Sequence, residues 1–162
     1  MVESVIARRE IGGFFYEIDT DKARLDIGLI HDFLSRCSHW ACGMPRALLE
    51  RAIANSLCFG LYRDGEQIGF ARVVNDEATY AYLSDVFIVP GHRNGGLGQF
   101  LVEAVLAYAP LQGLRLWQLV TRDAASFYRR CGFTDLAAER TYLHRFAPDV
   151  YAASSAREAA SG

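Results

Sequence analysis

The chain has 162 residues, 51% of them hydrophobic and 22% charged, with a formal net charge of −2, which is enough apolar material for one domain with its own core and excludes a disordered chain. No run of Lys or Arg suits a polyanion binder, and no apolar stretch reaches the roughly 18 residues of a membrane span, so neither nucleic acid nor a membrane is expected as a partner. The N-terminus "MVESVIARRE" carries charges on both sides of a short apolar patch, and no signal peptide is expected there.

In chain order, the first ten residues are expected to fray, and "GFFYEIDT" (13–20) reads as a strand. "DIGLIHDFLSR" (26–36) places Leu29, Ile30, Phe33 and Leu34 at helical spacing behind a candidate N-cap, Asp26. After a Cys/Ser/His/Trp/Gly loop, Pro45 stands where a first helical turn tolerates it, and "RALLERAIANS" continues as a second helix. "LCFGLYRDGEQIGFARVVND" reads as a hairpin about Asp64-Gly65. "TYAYLSDVFIV" (79–89) is apolar on nearly both faces, as a central strand is. "LGQFLVEAVLAYA" (97–109) is a helix with Leu97, Leu101, Ala104, Val105 and Tyr108 on one face, and "LRLWQLVT" (114–121) is a strand. "DAASFYRRCG" (123–132) is a short helix from Asp123, read as its N-cap, to Gly132. "FTDLA" and "TYLHRF" read as two last strands. The order β-α-α-β-β-β-α-β-α-β-β describes one α/β domain over residues 1–150, a mixed, mostly antiparallel central sheet flanked by helices. An Ala/Ser-rich tail, 151–162, is expected to be flexible.

Cys37, Cys42, Cys58 and Cys131 form no C-x-x-C pair and no zinc spacing, so reduced core thiols in a cytoplasmic protein, and no metal, are expected.

The crossover after the central strand carries "HRNGGLGQFL" (92–101), where open α/β sheets place ligands. A dinucleotide fingerprint starting at Gly96-Leu97-Gly98 fails because residue 101 is Leu, and a P-loop on Gly91 and Gly96 fails because Leu97-Gly98 follows. What remains, Arg93-x-x-Gly96-x-Gly98, exposes backbone N–H groups at a helix N-terminus beside a guanidinium, an arrangement suited to a pyrophosphate. A turn that only makes the crossover compact is the alternative.

"DVFIVPGHRNGGLGQFL" resembles the acyl-CoA motif of the GNAT N-acetyltransferase superfamily, Q/R-x-x-G-x-G/A, and "SFYRRCGF" resembles the family's next motif, a helix with a Tyr that ends in Gly-Phe. The resemblance covers roughly residues 57–136. "LIHDFLS…HW…GMPRALLERAIANSLCFGLY" extends it toward a subgroup of small bacterial members with mostly unassigned substrates. The resemblance implies acetyl-CoA as acyl donor, direct attack by a primary amine of a small molecule or peptide in a ternary complex, no metal, and an assembly that in the family is often a homodimer. It implies that a bulge splays the central strand from the next, that Phe87, Ile88 and Val89 pair with the pantetheine arm, and that Arg93, Asn94, Gly95, Gly96, Leu97 and Gly98 grip the pyrophosphate, with Asn94 and Gln99 at the rim. Thr121 stands where many members carry an Asn that touches the pantetheine.

Acetyl transfer needs a deprotonated amine, a donor for the oxyanion and a proton for the leaving thiolate. A main-chain N–H near Phe87 or Ile88 suits the oxyanion. Tyr128, the Tyr of the second motif, is the candidate acid. Asp85, a carboxylate in an apolar strand, is the candidate base, the alternative being a buried Asp satisfied by Ser84 or Tyr82. Asp123 could serve as base, but fits a helix cap better. His31, Trp40 and Tyr82 are candidates to line the acceptor side, where each could equally be packing. Asp76 and Glu77 could attract a cationic amine but read better as a solvated turn. A non-catalytic acyl-CoA-binding module of the same fold is the alternative function, and an unrelated nucleotide binder a more distant one.

Overall fold

The computed structural model describes residues 4–161. Asp64 and Gly65 take φ values of 49° and 88°, the left-handed pair a two-residue hairpin requires, and join β3 (Leu57–Arg63) to β4 (Glu66–Asn75) antiparallel. β5 (Tyr80–Ile88) then pairs antiparallel with β4. The turn before it is built by Asp76, which accepts the Thr79 hydroxyl and the N–H groups of Ala78, Thr79 and Tyr80. The Thr79 hydroxyl, followed by those N–H groups, holds the carboxyl of Asp76 well below the usual carboxylate range. Asp76 is thus engaged in its turn. From β5 the chain crosses through α3 (Leu97–Ala107) to β6 (Leu116–Gln118), which pairs parallel with β5. With β1 (Val5–Ile11) and β2 (Phe14–Asp19), the sheet runs in the order β1-β2-β3-β4-β5-β6, all antiparallel but for the last pair.

The two faces bury separate cores. α3 lays Leu97, Phe100, Leu101, Val102 and Val105 against Phe59, Leu61, Val73, Ala81 and Leu83. On the other face, α1 (Ile27–Asp32) and α2 (Arg46–Ala54) set Ile30, Leu49 and Ile53 against Cys58, Phe70 and Phe87. Asp26 caps α1 as expected, accepting the Leu29 N–H at 2.9 Å. The helix ends in a wider π-type turn, Phe33–Cys37, which also turns Phe33 and Leu34 into this core.

The middle of the chain follows the expected order, and the ends depart from it. Of the first ten residues, expected to fray, 1–3 lie outside the described residues and 5–10 belong to the edge strand β1, paired with β2 from Val5↔Asp19 to Ile11↔Phe14. The strand expected over 114–121 is only Leu116–Gln118, because its partner β5 turns away after Tyr82. "FTDLA" and "TYLHRF" are not strands: residues 133–147 hold no strand, and Leu143 and Phe146 lie exposed. The Ala-rich stretch after them winds into α5 (Val150–Ser161), in keeping with alanine's helix propensity. All four cysteines are free, but Cys37 and Cys42 are exposed rather than core. Among the described residues no helix is long and apolar enough to cross a membrane.

Candidate active site

β5 is interrupted where it matters. Its register with β4 shifts between Phe70↔Phe87 and Arg72↔Ser84, so β5 spends one more residue than β4 there. The extra residue is accommodated at Asp85, which takes φ 52°, a left-handed conformation that Asp tolerates better than most residues. The bulge bends β5 off β6. The two strands pair only from Tyr80↔Leu116 to Tyr82↔Gln118 and then part. The result is a gap beside Leu83–Ile88, as the resemblance implies.

Main-chain direction decides what faces that gap. The Val89 N–H donates to the Ile68 carbonyl at 2.8 Å, toward β4. Alternation along a strand turns Ile88 to the opposite edge. The Ile88 carbonyl accepts instead from Nε of Arg93, at 3.0 Å. Phe87 has its side chain buried and stacked on Phe33, ring centroids 4.0 Å apart. Of the three residues expected to meet a pantetheine arm, Ile88 therefore presents its main-chain groups to the gap, while Phe87 and Val89 hold β5 in place.

At the end of the gap a tight turn, Pro90–His92, leads into Arg93, Asn94, Gly95 and Gly96. Asn94 and Gly96 take φ values of 67° and 75°. Gly96 precedes α3 as its cap and offers no side chain, so no side chain caps the N–H groups of Leu97, Gly98 and Gln99. A Cβ on Gly95 would meet nothing within 4 Å, and one on Gly98 would make only ordinary contact, at 3.6 Å, with Phe127. The protein itself thus leaves room for side chains at both positions. The bare backbone there is open to a ligand, and its features fit a pyrophosphate: uncapped N–H donors, a positive helix end, and Arg93 alongside. Leu97 is buried and can offer only its N–H, whereas Gln99 binds Glu103 one turn on, at 2.6 Å.

Phe127, 3.6 Å from where a Cβ on Gly98 would stand, sets α4 (Ala125–Arg130) beside the start of α3. Tyr128 follows on the same short helix, its ring edge-on to Phe127 and Phe133. Burial, with the Cys131 thiol adding in the same direction, pushes its pKa up to about 12, so the hydroxyl holds its proton across the physiological range. Asp123 does not cap this helix. Ala124 stands at the cap position with no side-chain bond, and in the turn before it the Thr121 hydroxyl accepts the Ala124 N–H at 3.0 Å, while the exposed Asp123 lies 3.8 Å from Arg122. The Thr121 hydroxyl is thereby engaged in its own loop.

The carboxylate of Asp85 is held by neither Ser84 nor Tyr82. Arg72, paired on β4 with the neighbouring Ser84, donates Nε to Oδ2 at 2.7 Å, and Trp40 donates its indole N–H to Oδ1 at 3.1 Å. Arg72 also reaches Ser56 at 3.0 Å and Ser84 at 3.4 Å. This network ties the bulge to β4 and to the loop between α1 and α2. His31 belongs to a different contact: its ring Nε2 lies 2.8 Å from the Met44 carbonyl, pinning the far end of the Trp40 loop. Tyr82 is half-buried, with burial and the neighbouring tyrosines Tyr142 and Tyr80 raising its pKa. Strand alternation places it on the same sheet face as Ser84 and Arg72. Arg72 was not among the expected site residues, although a lone Arg in "GFARVV" is the same signal that singled out Asp85. Among the described residues no cluster of His, Cys, Asp or Glu could hold a metal.

Comparison with known proteins gives this geometry a family. Residues 54–135 match the family described as "Acetyltransferase (GNAT) domain". A Gibberella zeae protein provisionally named an acetyltransferase is 34% identical over 130 residues, covering 67% of this chain and 72% of that protein. A crystal structure of a Xanthomonas campestris protein, provisionally named a GNAT-family acetyltransferase, is 48% identical with a TM-score of 0.80, covering 84% of this chain and 96% of that one. At 18% identity and a TM-score of 0.63, the fold is shared with N-acetylglutamate synthase from Neisseria gonorrhoeae, solved with coenzyme A and N-acetyl-glutamate, over 92% of this chain and 33% of that one. The chain belongs to the GNAT acetyltransferase family.

Proposed function

We propose that this protein is an N-acetyltransferase that moves an acetyl group from acetyl-CoA to a primary amine by direct attack while both are bound. The observation that carries this reading is the parting of β5 from β6 directly before an uncapped, glycine-rich helix start. Acetyl-CoA supplies the activated thioester carbonyl. The N–H groups of residues 93–98 bind its pyrophosphate, and Ile88 meets the pantetheine arm with the main-chain groups that face the gap. Arg93 then has to release the Ile88 carbonyl, which frees its guanidinium for phosphate oxygens.

The Ile88 N–H is the donor placed for the developing oxyanion. Tyr128, neutral and beside the helix start, protonates the leaving sulfur. The acceptor approaches on the face that carries Trp40, Tyr82 and Asp85. Both carboxylate oxygens of Asp85 are already engaged, one by Arg72 and the other by Trp40. Asp85 therefore takes the amine's proton only in relay with water, and its larger role is to hold Trp40 in place.

The test is CoA release from acetyl-CoA across a panel of amines, with Tyr128→Phe in parallel. At least one amine should release thiol above background, and the variant should lower that rate about 100-fold with acetyl-CoA affinity unchanged. A protein that binds acetyl-CoA but acetylates no amine would instead be a non-catalytic acyl-CoA-binding module. Full activity in Tyr128→Phe would remove Tyr128 from the mechanism.

A further inference from the structure

A cavity of about 170 Å³ adjoins the glycine loop on the α3 side, lined by Ile11, Tyr16, Arg63, His92, Arg93 and Gly95 among others. Arg63 is the guanidinium in it that neither the family motif nor the proposed mechanism uses. It ends β3, two residues beyond Leu61 and four beyond Phe59, both in the α3 core, so strand alternation directs it to the same face. There the guanidinium carbon stands over the Phe14 ring, 3.4 Å from its centroid. Stacking of this kind orients the group and leaves its in-plane N–H donors open. Among the described residues Arg63 has no carboxylate partner. The nearest in sequence, Asp64, is engaged by the Phe15 N–H at 3.0 Å. An unpaired, pre-oriented guanidinium therefore shares a cavity with the loop that offers uncapped N–H groups.

We infer that Arg63 is a further phosphate ligand for coenzyme A, an inference that rests on the acetyl-CoA reading of the glycine loop. Coenzyme A carries two kinds of phosphate within reach of such a cavity, the pyrophosphate and the 3′-phosphate of its ribose. Both offer oxygens matched to a guanidinium fork. Arg63 adds a fixed cation from a different strand, so the anionic end of the cofactor is held from two sides. The Phe14 ring keeps the guanidinium in place before the ligand arrives.

The test is calorimetric titration of the wild-type chain, Arg63→Gln and Arg63→Lys with CoA and with dephospho-CoA, which lacks the 3′-phosphate. Wild type should bind CoA, and Arg63→Gln should bind it about tenfold more weakly, with Arg63→Lys in between. If the partner is the 3′-phosphate, wild type prefers CoA over dephospho-CoA and Arg63→Gln loses that preference. If it is the pyrophosphate, Arg63→Gln weakens both ligands equally. Either pattern supports the assignment. Unchanged affinity of Arg63→Gln for both ligands overturns it while leaving the acetyl-CoA reading intact. Failure of the wild type to bind CoA overturns the acetyl-CoA reading and this inference with it.

Discussion

Replacing Asp85 by Asn is the most informative single perturbation of the site. Asn also tolerates the left-handed backbone at this position, so the bulge itself is not strained, and the side chain keeps its shape. What changes is charge. The Arg72 and Asp85 side chains are only 14% and 6% exposed, and after substitution Arg72 faces only neutral acceptors, the new amide oxygen and the hydroxyls of Ser56 and Ser84. Removing one partner of a buried pair leaves an uncompensated charge and costs about 3–5 kcal/mol. In a domain stable by about 5–15 kcal/mol this is a large fraction, and it lowers Tm by roughly 6–20 °C. Removing both partners, as in Arg72→Met with Asp85→Asn, should cost far less than the sum of the single changes, with a coupling of about 2 kcal/mol or more. Urea unfolding of the four proteins in the cycle measures this. A loss below about 1 kcal/mol for Asp85→Asn, or additive single costs, would refute the claim that the pair holds the bulge.

Three further outcomes follow from the same structure. The Tyr62 hydroxyl is buried with no hydrogen-bond partner among the described residues, so Tyr62→Phe should raise stability by about 1 kcal/mol in urea melts. Burial raises the pKa of Tyr62 and of Tyr128 to about 12, above the ordinary 10.0, so between those values the folded state binds more protons than the unfolded one. Their contribution should be complete below about pH 10 and lost as the pH rises toward 12, seen as a falling urea midpoint that flattens in Tyr62→Phe. At Gly96 a Cβ has nothing within 4 Å to strike, yet φ is +75°, so Gly96→Ala should cost about 1–2 kcal/mol through the backbone alone, read by the same melts.

Local chemistry made much of this legible in advance. Asp64-Gly65 specified its hairpin because few residues accept two left-handed conformations in succession, and Asp26 specified a helix start through one side-chain bond. The glycine loop stood out because its spacing serves main-chain donors. Features that depend on distant partners were harder to read. "VIARREI" looks too charged for a strand, but at a sheet edge β1 needs only one neighbour and can turn charges to water. "TYLHRF" has strand-forming residues and no paired edge, so its propensity is not realised. The Asp85 partners lie 13 and 45 residues away, which local pattern cannot join, although an Arg and an Asp each isolated in neighbouring apolar strands could have been matched. Asp123 is not the cap because the helix begins one residue later than an Asp123 cap requires, which puts Ala124 at that position.

The central claim is that the glycine loop and the gap beside β5 form a coenzyme A site. Thermal unfolding titrated in parallel with acetyl-CoA, CoA, ATP and NAD tests it most directly. A ligand at 100 times its Kd adds about 2.7 kcal/mol, or roughly 5–10 °C for a domain of this size. That shift is expected with acetyl-CoA and CoA and none with ATP or NAD. No shift with either CoA species would contradict it and leave residues 92–98 as a turn that joins β5 to α3.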